Sequence, residues 1–113
     1  MNKTHIVIDS VKGRCVIATN DIKKNELIIA DYVMVFKAFD YPADLEPYPM
    51  HWSKTHDVLA FGHSNLINHA ETSNVYIRND YKNNIKRVYA IRDLKKGEEL
   101  FVNYECHLSF NPI

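Results

Sequence analysis

The chain is a series of short runs of β-branched and aromatic residues separated by turn-forming residues. HIVIDS and RCVIATN come first, with Lys12-Gly13 between them, and ELIIADYVMVF, NVYIRND, NNIKRVYAIRD and EELFVNYE follow. Runs of this length bounded by Gly, Asn and Asp predict β-strands. Asn83-Asn84 suits the turn between two hairpin arms. We therefore predict a mainly β, strand-rich α+β domain.

The stretch from residue 43 to 61 does not fit one pattern. Pro42, Pro47 and Pro49 interrupt its beginning, and the following HWSKTHDVLAF is compatible with a short helix or a 3₁₀ turn. A chain of 113 residues is close to the commonest size of one domain. We therefore expect a single domain over residues 1–113.

Two segments of the chain repeat each other at an offset of 72 residues. ATNDIKKNELIIADY (18–32) and AIRDLKKGEELFVNY (90–104) share an aspartate, two lysines, a glutamate and a tyrosine at matching positions. A repeat architecture needs at least three units, so two copies do not indicate a solenoid. Both segments are better interpreted as strand, turn and strand, with Asn or Gly in the turn.

Charge and hydropathy limit the classes of partner. Basic and acidic residues balance at 14 each, so we expect no direct nucleic-acid partner and no membrane partner. Residues 38–50 carry three acidic residues and no basic one, whereas residues 78–96 carry seven basic residues and two Asp. Two solvated faces are the ordinary interpretation, and an acidic rim that attracts a basic peptide is the alternative. No apolar run is long enough for a bilayer, and the start shows no secretory signal.

The cysteines and histidines form no metal-binding pattern. Cys15 and Cys106 lie far apart in a chain that we expect to be intracellular, so both are expected to be free thiols. Zinc sites need about four N or S ligands at short spacings. The six histidines form no HxxxH or CxxH motif, and the cysteines form no CxxC. We therefore expect no metal site.

The stretch GHSNLINHAETSN, residues 62–74, concentrates asparagine and histidine. Such a stretch is compatible with a turn, a metal site, a catalytic dyad or a ligand clamp. The lack of ligand spacing removes the metal site. A Cys-His hydrolase built on Cys15, His69 and Asn74 has only residue order behind it, because no nucleophile signature is present. A turn and a ligand clamp remain.

Three blocks of the chain resemble, in order and spacing, the signature motifs of the SET-domain protein lysine methyltransferases. They are KGRCVIATNDIKKNELI, NLINHAETSN and RDLKKGEELFVNYE. The family patterns are GxG with a strand and DIKKGE, then NHxxxPN, then GEELxxxY. The blocks cover most of the chain and leave about 38–60 as a variable insert. The size is similar to that of the minimal viral and bacterial SET proteins, and no zinc-binding post-SET module is expected, since Cys106 has no cysteine companions.

The resemblance implies the SET-domain fold, a β-clip type of architecture with several small β-sheets and a C-terminal segment that passes beneath a loop as a pseudoknot. It also implies S-adenosyl-L-methionine as cofactor and a lysine of a protein or peptide as substrate. A histone tail would suit the acidic 38–50 stretch, and a ribosomal or other protein lysine would also fit. Minimal SET proteins can dimerise, and the sequence leaves both a monomer and a homodimer open.

The resemblance assigns roles to individual residues. Tyr104 matches the catalytic tyrosine that aims the lysine amine. Val102, two residues earlier, occupies the substrate-channel position that limits how many methyl groups fit, and its small size predicts methylation beyond the monomethyl stage. The cofactor-binding positions are matched by Arg14, Cys15, Asn65, Asn68, His69, Tyr104 and Phe110.

Departures from the family patterns define the alternative function. Cys15 replaces the second glycine of GxG, Ala70 a serine, Ser73 the proline, and Asn103 the aspartate before the tyrosine. The first hypothesis is an S-adenosylmethionine-dependent protein lysine N-methyltransferase, acting in chromatin if its substrate is a histone. The alternative is a SET-like binding or assembly module that has lost catalysis.

Overall fold

Strands dominate the molecule, which is described here from a computed structural model for residues 2–11, 13–46 and 48–103. None of the helical segments in these ranges is long and apolar enough to cross a membrane. The strands are β1 (Thr4–Asp9), β2 (Gly13–Ala18), β3 (Leu27–Lys37), β4 (Met50–His51), β5 (His56–Ala60), β6 (Asn68–His69), β7 (Val75–Asp80), β8 (Ile85–Ala90) and β9 (Phe101–Val102). Two 3₁₀ turns cover Ala43–Leu45 and His63–Leu66.

The strands form three small sheets. β1 and β2 make an antiparallel hairpin, and a five-stranded antiparallel sheet has the order β4-β5-β3-β8-β7. β6 and β9 pair in parallel. The prediction of a mainly β fold with several small sheets is confirmed. The pseudoknot depends on the segment after Asn103, which lies outside the described residues, and stays a prediction.

The stretch HWSKTHDVLAF, whose local pattern is compatible with a short helix or a 3₁₀ turn, forms neither. His56–Ala60 is strand β5, which pairs with the long strand β3 and places Val58 opposite Val35 and Ala60 opposite Val33. Val58 and Ala60 are buried, and this pairing satisfies the backbone of a segment whose local pattern was ambiguous. Of the last expected strand, EELFVNYE, the structure describes residues 98–103, and within these Phe101–Val102 form β9.

Two apolar clusters form the core. The larger one lies where the β1-β2 hairpin, the central sheet and the β6-β9 pair meet, and the smaller one contains Val33, Trp52, Val58 and Ala60. Strand residues alternate between faces with a period of two. The larger cluster contains Val16, Ala18, Ile22, Ile28, Ile29, Ile67, Val75, Ile77, Val88, Ala90, Leu94, Leu100 and Val102.

The two repeated segments form a pair of equivalent turns that face each other. Each turn donates a backbone N–H to the aspartate of the other at 2.8–2.9 Å, and an isolated antiparallel bridge joins their centres. The reciprocal pairs are Ile22 with Leu94, Lys24 with Asp93, and Lys96 with Asp21. The offset of 72 residues therefore reflects two units of strand, turn and strand, as predicted, and the structure adds that the two turns pack against each other.

Asn25 and Gly97 occupy matching positions at the tips of these turns. Asn25 has φ of 68° and Gly97 has φ of 88°, both in the left-handed region. The Asn25 N–H donates to the Ala90 carbonyl, and the Gly97 N–H donates to that of Ala18, each at 2.8 Å. Glycine and asparagine are the residues that adopt this conformation at the lowest cost.

We predict that Gly97→Ala lowers the free energy of unfolding by about 1–2 kcal/mol, because alanine resists the left-handed region. A Cβ at this position meets no atom of the described residues within 4 Å, so the cost is backbone strain and not a clash. Gly97→Asn should cost less, since asparagine already occupies the matching position. Urea unfolding of both variants checks this, and equal losses would contradict it.

Candidate functional site

The side chain of Asn68 joins the three sequence blocks. Its Nδ2 donates to the backbone carbonyl of Arg14 at 3.0 Å and to Oε2 of Glu99 at 2.9 Å. The Sγ of Cys15 lies 3.7 Å from the same nitrogen. Both amide hydrogens are thus used, which leaves Oδ1 as the acceptor that Asn68 can offer to a ligand.

The parallel pair β6-β9 sets the second block beside the third. Asn68 lies opposite Phe101, and His69 lies opposite Val102. The Ala70 N–H continues the ladder by donating to the carbonyl of Val102 at 3.1 Å. Asn68 is partly buried and His69 is exposed, so this strand presents polar groups at the surface next to the start of β2.

Asn74 fastens this pair from the inside. Its side chain is buried, accepts from the Phe101 N–H at 2.8 Å and donates to the Glu99 carbonyl at 2.8 Å. The backbone N–H of Asn74 donates to the carbonyl of Phe101 as well. Sequence reasoning considered Asn74 only for a hydrolase; the signal it missed is the last asparagine of the NHxxxPN pattern.

Cys15 lies in β2 and is buried. It does not adopt a left-handed φ, whereas Gly13 at the start of the strand does, with φ of 84°. The backbone conformation at Cys15 therefore does not require the glycine of the family pattern.

Arg14 connects strand β2 to the variable insert. Its side chain is exposed, and Nη2 donates to the hydroxyl of Tyr48 at 3.0 Å. In the same insert, Tyr41 donates to the carboxylate of Glu46, which raises the pKa of Tyr41 to about 12. The acidic residues of this insert are exposed at Asp40, Asp44 and Glu46.

Asn65 lies in the His63–Leu66 turn, one turn before Asn68. Its Oδ1 accepts from the backbone N–H of Ala60 at 3.4 Å. The buried Ile67 separates this turn from β6. Asn65 is the first residue of the second block, and its side-chain oxygen is engaged by β5.

The remaining expected site residues lie at or beyond the end of the described chain. Tyr104 and Phe110 are outside the described residues. Val102 is buried and belongs to the larger core cluster. Asn103 donates from Nδ2 to the Glu71 carbonyl at 2.9 Å, a bond that an ionised aspartate cannot donate. Asn103 therefore has its own role in holding the end of β9.

A buried polar cluster behind the His63–Leu66 turn was not predicted. Lys86, which the charge pattern assigned to a solvated face, is buried because the alternation of β8 points it inward with Val88 and Ala90. It lies opposite Asp31 of β3 and donates from Nζ to the Ser64 carbonyl at 3.3 Å. Burial lowers the pKa of Lys86 to about 8, and the charge of Asp31 opposes this shift.

Asp31 completes the cluster from the neighbouring strand. Its Oδ2 accepts from the N–H of Ser64 at 3.0 Å and from the Ser64 hydroxyl. A Cβ on Gly62 would overlap the carboxylate of Asp31, so a larger residue there would require the Asp31 side chain to shift. Asp31, Lys86 and Gly62 together fix where the turn sits on the sheet.

The chemistry of the donor set fits the amino-acid end of S-adenosylmethionine. The exposed Arg14 guanidinium suits a carboxylate, and Oδ1 of Asn68 suits an ammonium group. Asn68 meets the backbone carbonyl of Arg14 at the junction of β2 and β6, with His69 exposed beside it, and the Arg14 side chain extends from this junction to Tyr48. The described residues contain no group of three or more His, Cys, Asp or Glu that could hold a metal ion.

Comparison with known proteins shows the family of the chain. The family model for the SET domain matches residues 13–105. The chain belongs to the SET domain family. A Schizosaccharomyces pombe histone-lysine N-methyltransferase, described as H3 lysine-37 specific, is 34% identical over 104 residues, which cover 88% of this chain and 71% of that protein.

Solved structures agree with the SET fold. A crystal structure of a Plasmodium falciparum protein assigned as a histone methyltransferase has a TM-score of 0.77 and 29% identity, and the match covers 92% of this chain and 94% of that one. The SET8 protein of Cryptosporidium has a TM-score of 0.67 and 25% identity, with 89% of this chain and 56% of that one covered. The resemblance inferred from the three sequence blocks is confirmed.

We predict that Lys86 makes the stability of this SET domain rise with pH between about 8 and 10.5. The pKa of Lys86 is about 8 in the folded state and near its ordinary 10.5 when unfolded, so in this window the unfolded state binds more protons. The linked gain is about 3 kcal/mol over the whole window.

Guanidinium unfolding at pH 7.5, 9 and 10.5 of wild type and Lys86→Met measures this gain as the change in their difference. Lys24→Met, which removes an exposed lysine, is the matched control and should follow wild type. Parallel stability curves for wild type and Lys86→Met would contradict the assignment.

Proposed function

We propose that this SET domain is a protein lysine N-methyltransferase that transfers the methyl group of S-adenosylmethionine to a lysine of histone H3. The observation that carries the proposal is the contact of Asn68 with Arg14 and Glu99, which assembles all three motifs into one polar site. The enzyme class follows from the family and from the 34% identical histone-lysine methyltransferase. The histone substrate is inferred from that relative.

Cofactor binding is the first task of these residues. S-adenosylmethionine supplies an activated methyl group on a positively charged sulfur. Asn68 and His69 would hold its amino-acid and adenine ends, with the backbone of Arg14 and Cys15 on the other side. Phe110, beyond the last strand, would cover the adenine ring.

The second task is to present the lysine as a neutral amine. A lysine side chain has a pKa near 10.4, so at pH 7 fewer than about one in a thousand is neutral. A channel that excludes water disfavours the ammonium form, and a hydroxyl aims the lone pair along the line of displacement. We assign this aiming role to Tyr104. No strong base is required, because the proton is lost before the displacement.

Substrate attraction is assigned to the insert at residues 38–60. Its exposed carboxylates at Asp40, Asp44 and Glu46 suit a basic peptide such as a histone tail. The link from Arg14 to Tyr48 joins this insert to the cofactor strand. A peptide held on the insert would therefore lie near the same junction.

The alternative of a module without catalysis loses part of its support. Cys15 lies in an ordinary strand conformation, and Asn103 makes a bond of its own to Glu71. Neither departure from the family pattern disturbs the described backbone of the site.

We predict that Tyr104→Phe lowers kcat by at least about a hundredfold, the scale of losing a positioned group in the transition state. Its dissociation constant for S-adenosylmethionine should change little, because Asn68 and His69 remain. The measurement is transfer of labelled methyl to recombinant histone H3 and to an H3 peptide containing lysine 37, with arginine at that lysine as substrate control.

Tyr32→Phe is the matched variant, since Tyr32 is 69% exposed on β3, and its activity should equal that of wild type. Full activity of Tyr104→Phe would contradict the catalytic role assigned to Tyr104. If the wild-type enzyme transfers no methyl group to any histone, the proposal of a histone substrate is wrong.

We also predict that the enzyme produces dimethyl-lysine or trimethyl-lysine. Val102 stands two residues before Tyr104, and its side chain is smaller than the Phe or Tyr expected to restrict the channel. Mass spectrometry of the peptide after exhaustive reaction checks this outcome. Monomethyl-lysine alone at completion is the result that rejects it.

A further inference from the structure

The His63–Leu66 turn is tied to the central sheet from several sides. Asp31 accepts from the N–H and hydroxyl of Ser64, and Lys86 donates to the Ser64 carbonyl. The Thr4 hydroxyl and Nδ1 of His63 lie 2.6 Å apart in a further hydrogen bond. A turn of four residues is thus fixed in position and in rotation.

The two charged residues of this cluster act from one place. Asp31 and Lys86 are directly opposite each other on β3 and β8. Together they bind the N–H, the carbonyl and the hydroxyl of a single residue, Ser64, which is 1% exposed. All the hydrogen-bonding groups of Ser64 are therefore engaged by one cross-strand pair.

Stability alone does not explain this pair. Burying the ammonium group of Lys86 costs free energy, and an apolar residue of similar volume is often at least as stable in such a place. Val88 and Ala90 fill the neighbouring inward positions of β8, so an apolar residue would suit position 86. What apolar packing lacks is direction, and the pair supplies directed bonds to one turn.

The turn leads directly into strand β6, which carries Asn68, one of the residues proposed to bind the cofactor. Asn65 belongs to it, and only Ile67, which is anchored in the core, lies between it and Asn68. A rotation of Ser64 would therefore be passed along Asn65, Leu66 and the buried Ile67 to the Asn68 amide. Asn68 must meet both Arg14 and Glu99, so it tolerates little rotation.

We propose that Asp31 and Lys86 are positioning residues for cofactor binding, which hold the His63–Leu66 turn so that Asn65 and Asn68 keep their binding orientation. The inference rests on the proposed function, since it takes Asn65 and Asn68 as cofactor residues. No cofactor contact is assigned to Asp31 or Lys86; both act through Ser64, while Nζ of Lys86 also donates to Sδ of Met50 at 2.7 Å.

The test is calorimetric titration of the whole chain with S-adenosylmethionine and S-adenosylhomocysteine, with thermal unfolding measured on the same samples. Lys86→Met and Asp31→Ala should each raise the dissociation constant about tenfold. The dissociation constant of the double variant should rise no further than that of the single variant with the larger rise, because both residues act through one turn. Lys24→Met, an exposed lysine on the far turn, should bind as wild type does.

Steady-state kinetics separate positioning from a general loss of structure. KM for S-adenosylmethionine should rise in the two single variants, while KM for the peptide and kcat at saturating cofactor stay within about twofold. Ser64→Ala removes only the hydroxyl bond and keeps the backbone contacts, so it should fold even if Lys86→Met does not. Its dissociation constant should rise two- to fivefold.

Unchanged cofactor affinity in Ser64→Ala and in the folded pair variants, with a lower melting temperature, overturns the inference in favour of a structural role. Equal increases in the KM of peptide and cofactor overturn it as well. Absence of any binding by wild type overturns the proposed function and this inference with it. The affinity of wild type therefore distinguishes the two failures.

Discussion

The buried amide of Asn74 is the interaction on which the site depends. β6 and β9 pair over two residues each, and a parallel pair of that length has too few backbone bonds to be stable alone. Asn74 adds one bond to the Phe101 N–H and one to the Glu99 carbonyl. Leaving such buried groups unpaired costs about 1–3 kcal/mol each. The buried side chain of Asn74 thus helps to hold the third block against the second, together with the bonds of Asn68 to Glu99 and of Asn103 to Glu71.

Asn68 extends this arrangement outward to the first block. Its amide contacts the Arg14 carbonyl, 54 residues away in the chain, and the Glu99 carboxylate, 31 residues away. Asn74 joins the strands β6 and β9 from the inside, and Asn68 joins the second block to the first and third blocks nearer the surface. Asn74 and Asn68 therefore have different roles, because Asn74 is buried and Asn68 is only partly buried.

The sequence predicted the parts of the fold whose pattern is local. The strands now seen as β1, β2, β3, β7 and β8 were expected from their β-branched runs, and the two similar turns from the repeated segments, whereas the packing of these turns against each other was not expected. β5 was missed, since the pairing of Val58 with Val35 is a tertiary contact that no local pattern records. The family motifs indicated Asn68 and His69, whereas the role of Asn74 required knowing that Phe101 lies beside it.

Lys86 shows where local rules and tertiary structure conflict. A count of charges places it on a solvated face, but the period of β8 points it inward with Val88, and period two is the stronger constraint on a strand. Natural sequences break such rules mainly at functional sites. Gly62 is part of the same compromise, because the carboxylate of Asp31 occupies the space of its missing side chain. Lys86 is buried and Gly62 is crowded, and both lie next to Ser64. We infer that the residues at these positions are constrained more by the orientation of the His63–Leu66 turn than by packing of the apolar core.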